Sequence, residues 1–144
     1  MTIRKLTPNL MVEDVRATVD FYGDILGFDL VMAVPESQDG ILTELSGTET
    51  IVYALVRNGS SELMFQSQKS MGEDIPVLAG KSVGASVSLY LETNGINEIC
   101  DRIRPKVQIV KDLFTTWYGM KEFYFLDNNN YVLCLAEQVT MKES

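Results

Sequence analysis

The chain contains no histidine, and this absence excludes more chemistry than any other feature of its composition. Without an imidazole, its serines and cysteines lack the base that catalytic triads and dyads use. Cysteine is scarce too, because Cys100 and Cys134 stand alone, with neither the close spacing of a zinc site nor the framework of a secreted disulfide protein. We expect both thiols to be reduced and buried.

Long apolar runs and positive charge are also lacking. No run approaches the ~20 residues that span a bilayer, and no signal-peptide core follows the first residues, so we expect a cytoplasmic protein without a membrane partner. The chain has 12 basic and 20 acidic residues, a formal charge of −8. Because this field repels phosphate backbones, no nucleic-acid partner is expected. An acidic surface favours cationic ligands, although the solubility of an ordinary protein is the more usual reason for such a charge.

The 144 residues, 46% of them hydrophobic, are enough for one domain with its own core. The most informative segment runs from Val12 to Phe28. Asp14 can cap a helix, apolar residues follow at spacings of three and four, and Gly27 can adopt the left-handed conformation that ends a helix. The segment therefore predicts a strand, a capped amphipathic helix and a second strand.

Other segments of the first half are predicted from alternation and turn signals. Strands are expected over residues 6–12, 28–34, 50–56 and 61–66, with a hairpin at Asn58-Gly59. Residues 68–82, rich in glycine, predict an irregular connector with one helical turn around residues 75–78.

The second half repeats this order. We expect a strand over residues 83–92, a helix capped by Asn94 and stopped by Pro105, a strand at 107–110, and a closing hairpin that turns at residues 127–130. A displacement of about 79 residues superimposes the two patterns. The predicted fold is therefore α+β, with two βαβββ repeats at residues 1–67 and 83–138.

Several motifs carry a resemblance to a known family. They are Asn9-Leu10-Met11-Val12-Glu13-Asp14, Phe21-Tyr22, Leu26-Gly27-Phe28, Glu62-Leu63-Met64-Phe65-Gln66 and the segment 119–135. Together they resemble a vicinal oxygen chelate domain, the superfamily of glyoxalase I, extradiol dioxygenases and bleomycin-binding proteins. The resemblance covers nearly all of residues 1–144 as one such domain. It implies that paired repeats curl their sheets around a cleft, and it implies a homodimer.

In metal-using members of that superfamily, four strands supply one ligand each. The resemblance puts these positions near Thr7, Glu62, Ser88 and Cys134, of which only Glu62 is a conventional ligand for a hard cation. One carboxylate and one thiol fall short of the donors that a tight site needs. We therefore expect neither a metal nor another cofactor, and we predict no catalytic residue.

Strand alternation, aromatic residues and the resemblance together predict which side chains line the cleft that the resemblance implies. The residues expected there are Thr7, Asn9, Tyr53, Glu62, Met64, Gln66, Ser88, Tyr90, Trp117, Phe123 and Cys134. On an apolar wall Glu62 would have a raised pKa and could transfer protons, although a surface glutamate beside the hairpin is the preferred interpretation. Trp117 and Tyr118 offer an aromatic wall, and an ordinary core or interface role is the alternative.

The expected function is metal-independent binding of a small apolar or cationic molecule, by sequestration or carriage, as in glyoxalase-like bleomycin-resistance proteins that confer antibiotic resistance. Two alternatives stay open. One is a metal-dependent lyase, isomerase or dioxygenase with unusual ligands such as Glu62 and Glu122. The other is a regulatory partner protein whose cleft is filled.

Overall fold

A computed structural model describes residues 1–139, which form two compact units divided after Val83. Each unit has the order strand, helix, strand, strand, strand, so the predicted α+β class and the internal repeat are confirmed. Within the described residues, no helix has the length and apolar character needed to cross a bilayer.

The first unit is a four-stranded mixed sheet with a helix packed on one face. Its elements are β1 (Asn9–Val12), α1 (Val15–Leu26), β2 (Asp29–Pro35), β3 (Ile51–Asn58), β4 (Ser61–Ser67) and α2 (Gln68–Asp74). The strands lie in the order β1-β4-β3-β2, and only the β1–β4 pair is parallel. Tyr22 of α1 is fully buried, and its ring centroid lies 4.9 Å from that of Phe65 on β4.

The second unit has the same arrangement. Its elements are β5 (Ser88–Glu92), α3 (Ile96–Ile103), β6 (Gln108–Thr115), β7 (Met120–Leu126) and β8 (Val132–Gln138). The order is β5-β8-β7-β6, again with one parallel pair, β5–β8. Both β5 and β6 begin 79 residues after their counterparts β1 and β2, which is the displacement that the sequence predicts.

Four local signals act as the sequence indicates. The Asp14 side chain accepts a hydrogen bond from the Ala17 amide at 3.0 Å and caps α1, and Gly27 ends that helix at φ 71°. Gly59 turns the β3–β4 hairpin at φ 60°. In the closing hairpin, Asp127 Oδ1 accepts from the amides of Asn129 and Tyr131 at 2.8 and 2.9 Å.

Two predictions about the connector and the following strand are wrong. Residues 68–74 form α2 because Ser67 caps them, its hydroxyl accepting from the Ser70 amide at 3.3 Å. A 3-10 turn at Pro76–Leu78 confirms the helical turn predicted there. The strand predicted from residue 83 begins only at Ser88, since Gly84 and Ala85 have φ angles of 88° and 44°, which no strand accommodates.

The helix cap predicted at Asn94 is also wrong. The N-cap of α3 is Gly95, which has no side chain to fill that role. The Glu137 carboxylate of β8 supplies it instead, accepting from the amides of Gly95 at 3.1 Å and Ile96 at 2.9 Å. A long-range contact therefore replaces the local one.

Replacing Asp14 with alanine removes the α1 cap, and we expect the free energy of unfolding to fall by about 1 kcal/mol. Chemical denaturation of D14A measures the change. Asp20 lies exposed in the same helix, so D20A removes the same charge without a cap and should change stability by less than about 0.5 kcal/mol. Equal losses in both variants would contradict the capping role.

The Glu137 cap makes stability depend on pH. The amides of Ile96 and Gly95 hold the pKa of Glu137 below its ordinary value, so its stabilisation is present above that value and is lost as the pH falls through the lowered folded-state pKa. We expect E137Q to be less stable than wild type at neutral pH and to lose less stability as the pH falls. Thermal unfolding at a series of acidic pH values measures both effects. If the unfolding midpoints of the two proteins fall in parallel with pH, the capping role is contradicted.

Candidate functional site

A buried carboxylate surrounded by tyrosines is the main polar feature of the second unit. Glu122 on β7 is only 1% exposed. Its Oε2 accepts hydrogen bonds from the hydroxyls of Tyr90 and Tyr118, each at 2.7 Å, and its Oε1 accepts from Tyr124 at 3.2 Å. Glu122 forms no ion pair within residues 1–139. The group thus carries a negative charge held by three neutral donors.

Strand register brings these residues together. One row of paired residues crosses β5, β8 and β7 and consists of Tyr90, Cys134 and Tyr124. The next row on the same face pairs Ala136 of β8 with Glu122 of β7. Because Cys134 and Ala136 are small and buried, the Tyr90 phenol can reach across β8 to the carboxylate. Tyr118 approaches from the turn between β6 and β7.

The hydrogen bonds keep the site ionised. Burial alone would raise the pKa of Glu122, but the bonds from Tyr90, Tyr118 and Tyr124 outweigh burial and hold it below its ordinary value. The same bond raises the pKa of Tyr90 and of Tyr118, and burial raises the pKa of Tyr124. At neutral pH the arrangement is therefore one carboxylate anion and three phenols.

Aromatic rings lie around this anion and remain open to solvent. Tyr90 and Tyr118 are about half exposed, at 50% and 52%, and Trp117 is 95% exposed. The Trp117 ring meets Tyr118 edge to face at 5.3 Å. On the β6 side, Phe114 stacks on Tyr124 with centroids 6.3 Å apart. Apolar faces thus border a charge that water barely reaches.

The Glu62 carboxylate of the first unit is neutralised by its neighbours. Its side chain is 6% exposed and pairs with Lys5 and, at 2.6 Å, with Arg57. The hydrogen bonds from Lys5 and Arg57 lower the pKa of Glu62, so the raised value expected from the sequence is wrong. Burial, and then the charge of Glu62, raises the pKa of nearby Tyr53.

Amide side chains connect β1 to α2 in the same unit. Asn9 donates to Gln66 Oε1 at 2.9 Å, and Gln66 donates to the Ser70 hydroxyl at 2.9 Å and to Asp74 at 2.7 Å. Met64 is the register partner of Asn9. Asn9 Oδ1 has no hydrogen-bond partner within residues 1–139. Thus Asn9 and Gln66 belong to a hydrogen-bond network internal to the unit, and Met64 lies beside Asn9 in the sheet.

The other residues singled out by the sequence have varied surroundings. Thr7 is half-buried before β1, and Ser88 is exposed at the start of β5. Cys134 is 1% exposed, and burial raises the pKa of its thiol. Phe123 is fully buried 5.7 Å from Phe125, beneath the Arg104 guanidinium, so it lies on the opposite face of β7 from Glu122.

The first unit also contains a cavity of about 490 Å³, which Ser70 of this network helps to line. Its walls come from the ends of the strands and the start of α2, and they include Glu13, Glu36, Glu73, Lys69 and Ser67. The lining is mainly polar, with three carboxylates and one ammonium.

Comparison with known proteins decides the family. Residues 4–135 match the model of the Glyoxalase/Bleomycin resistance protein/Dioxygenase superfamily. The chain belongs to this superfamily. A bleomycin resistance protein of Geobacillus stearothermophilus is 26% identical over 136 residues, which cover 92% of this chain and 95% of that protein. A Staphylococcus aureus bleomycin resistance protein matches to the same extent.

Solved structures of the superfamily share the fold. A glyoxalase/bleomycin resistance protein/dioxygenase family enzyme from Burkholderia phytofirmans superposes with a TM-score of 0.70 at 17% identity, covering 92% of this chain and 97% of the other. A protein of unknown function from Agrobacterium tumefaciens gives 0.73 at 20% identity, with coverage of 96% and 97%. At these identities the comparison shows the fold alone.

The residues that the resemblance gives for the metal-ligand positions do not fit a metal. Thr7 and Ser88 offer hydroxyls, Cys134 offers a thiol with a raised pKa, and both Glu62 oxygens are engaged by cationic side chains. Across residues 1–139, no group of three or more histidine, cysteine or acidic side chains is placed to hold an ion.

The sequence predicts only part of the group around Glu122. Tyr90 and Cys134 are among the predicted cleft residues, and Tyr118 belongs to the predicted aromatic wall. Glu122 is predicted only as an alternative metal ligand, and Tyr124 is not predicted. The available signal was alternation along β7, where Glu122 and Tyr124 share the face opposite Phe123 and Phe125.

Removing one phenol donor should reduce the stabilisation of the ionised Glu122 carboxylate. We expect Y118F to raise the pKa of Glu122, because a phenyl ring cannot donate the hydrogen bond that Tyr118 provides. Carbon-13 NMR of the glutamate side-chain carboxyls, assigned with E122Q, measures the titration. The control is Y53F in the first unit, which should leave Glu122 unchanged. An unaltered pKa in Y118F would contradict the assigned contact.

Proposed function

We propose that this chain binds organic cations with aromatic or apolar bulk, sequestering or carrying them without a metal and without transforming them. The observation that supports the proposal best is the buried, ionised Glu122, which is held by three phenols and has no ion-pair partner among residues 1–139. The anion attracts a positive centre, and the exposed rings beside it supply surface for the rest of the molecule.

The energetics favour a cation over a neutral ligand. A carboxylate withdrawn from water retains its full charge even when neutral donors stabilise it, so an incoming ammonium group recovers Coulomb energy in a medium of low dielectric constant. The rings of Tyr90 and Tyr118 can meet the same ammonium group through their faces. The formal charge of −8 adds attraction at longer range.

The electrostatics favour binding over proton transfer. A general base works best with a pKa near the working pH, but that of Glu122 is held low. A general acid has the same requirement, and the pKa values of Tyr90 and Tyr124 are raised. These directions preserve one charge state across the neutral range, which suits a binding site.

The relatives support the same class of ligand. The curated relatives at 26% identity are named bleomycin resistance proteins, and they match this chain over almost their full length. Carried over as a proposal, this name implies a drug-sized molecule and a role in resistance by sequestration. A homodimer in the cytoplasm without a nucleic-acid partner completes the proposal, and analytical ultracentrifugation tests the subunit count.

The test uses benzyltrimethylammonium as the probe and titration calorimetry as the measurement. We expect wild type to bind it and E122Q to bind at least about tenfold more weakly, because the substitution removes the charge while keeping the size of the side chain. The single tryptophan, Trp117, gives a second signal through its fluorescence.

The control E98Q removes an exposed charge from α3 and should leave the dissociation constant within about twofold of wild type. Benzyl alcohol, a neutral aromatic compound, should bind wild type and E122Q alike. If wild type fails to bind the cation at millimolar concentration, or if E122Q binds as well as wild type, the proposal is wrong.

A further inference from the structure

One cation of the protein already lies beside the tyrosine-bound carboxylate. The Lys111 ammonium lies 3.9 Å from the centroid of the Phe114 ring, in cation–π geometry. Phe114 is the register partner of Glu122 and stacks on Tyr124. Lys111 therefore points its charge at the aromatic surface that borders the anion.

The backbone of β6 places this side chain there. The pairing of β6 with β7 shifts register on both sides of Lys111, between Ile109 and Lys111 and between Lys111 and Phe114. Such irregularities redirect a side chain relative to a regular strand. Lys111 is paired with Tyr124, so it shares the face that carries the carboxylate.

The Lys111 ammonium attracts the Glu122 carboxylate, and the two groups do not form a direct ion pair. Its charge is one of the influences that lower the pKa of Glu122, after the three tyrosine hydrogen bonds. Lys111 is solvent-exposed on a long flexible stem. Moving it away breaks its contact with Phe114 and removes its attraction to the anion.

We propose that Lys111 is a specificity-determining residue that competes with ligand cations for the surface formed by Phe114 and the Glu122 carboxylate. In the free protein its ammonium partly satisfies the anion, and a ligand must displace it. Molecules that combine a positive centre with an aromatic group replace both interactions and are selected over small cations, which replace only the charge. The inference rests on the proposed function.

The test compares K111M with wild type in titrations with benzyltrimethylammonium and tetramethylammonium. We expect K111M to bind both cations about two- to fivefold more tightly and by similar factors, because both ligands must displace the same ammonium. In wild type and in K111M, benzyltrimethylammonium should bind more tightly than tetramethylammonium, because its ring replaces the lost contact with Phe114. K111R keeps a cation over the ring and should bind like wild type. K106M removes an exposed lysine elsewhere in the same unit and should change nothing.

A second measurement locates the effect. In an F114L background the ammonium loses its ring contact, so adding K111M should improve binding by less than it does in wild type. Unchanged or weaker cation binding by K111M would overturn the inference, as would an equal gain in K106M. In either case wild-type binding that depends on Glu122 still supports the proposed function. Absence of binding to wild type would overturn both.

Discussion

The burial of Glu122 beneath three tyrosine hydroxyls is the constraint on which the candidate site depends. A carboxylate that is 1% exposed requires donors, and here the donors are neutral phenols from β5, β7 and the turn before β7. These donors stabilise the negative charge of Glu122 without neutralising it. Glu62 of the other unit differs, because Lys5 and Arg57 pair with its carboxylate and neutralise its charge. The two carboxylates show how neighbouring groups, more than residue type, decide whether a buried charge is paired.

The fold serves this constraint through strand pairing. The parallel β5–β8 pair and the antiparallel β8–β7 pair place Tyr90, Cys134 and Tyr124 in one row, and the small residues of β8 leave room for a phenol to cross. On the opposite face, Phe123 and Phe125 build the core. One strand thus carries core and site on alternate residues, so a shift of one residue in register would exchange them.

Much of the fold could be predicted from local sequence signals, and much of the site could not. Asp14, Gly27 and Asn58-Gly59 determine structure through their own conformation or an immediate neighbour, so the printed sequence suffices. The cap of α3 depends on Glu137, 41 residues away from Ile96 along the chain, and no local pattern reveals it. The carboxylate site has the same character, since Tyr90 and Glu122 are 32 residues apart and meet only through the sheet.

Superfamily membership supplies the scaffold, while the chemistry rests on this chain's own residues. Cation binding at Glu122 is tested most directly by an intermolecular NOE experiment with benzyltrimethylammonium and protein labelled at tyrosine. We expect NOEs from the N-methyl protons to the rings of Tyr90, Tyr118 and Tyr124. NOEs confined to Tyr53 of the first unit, with none to these three rings, would contradict it.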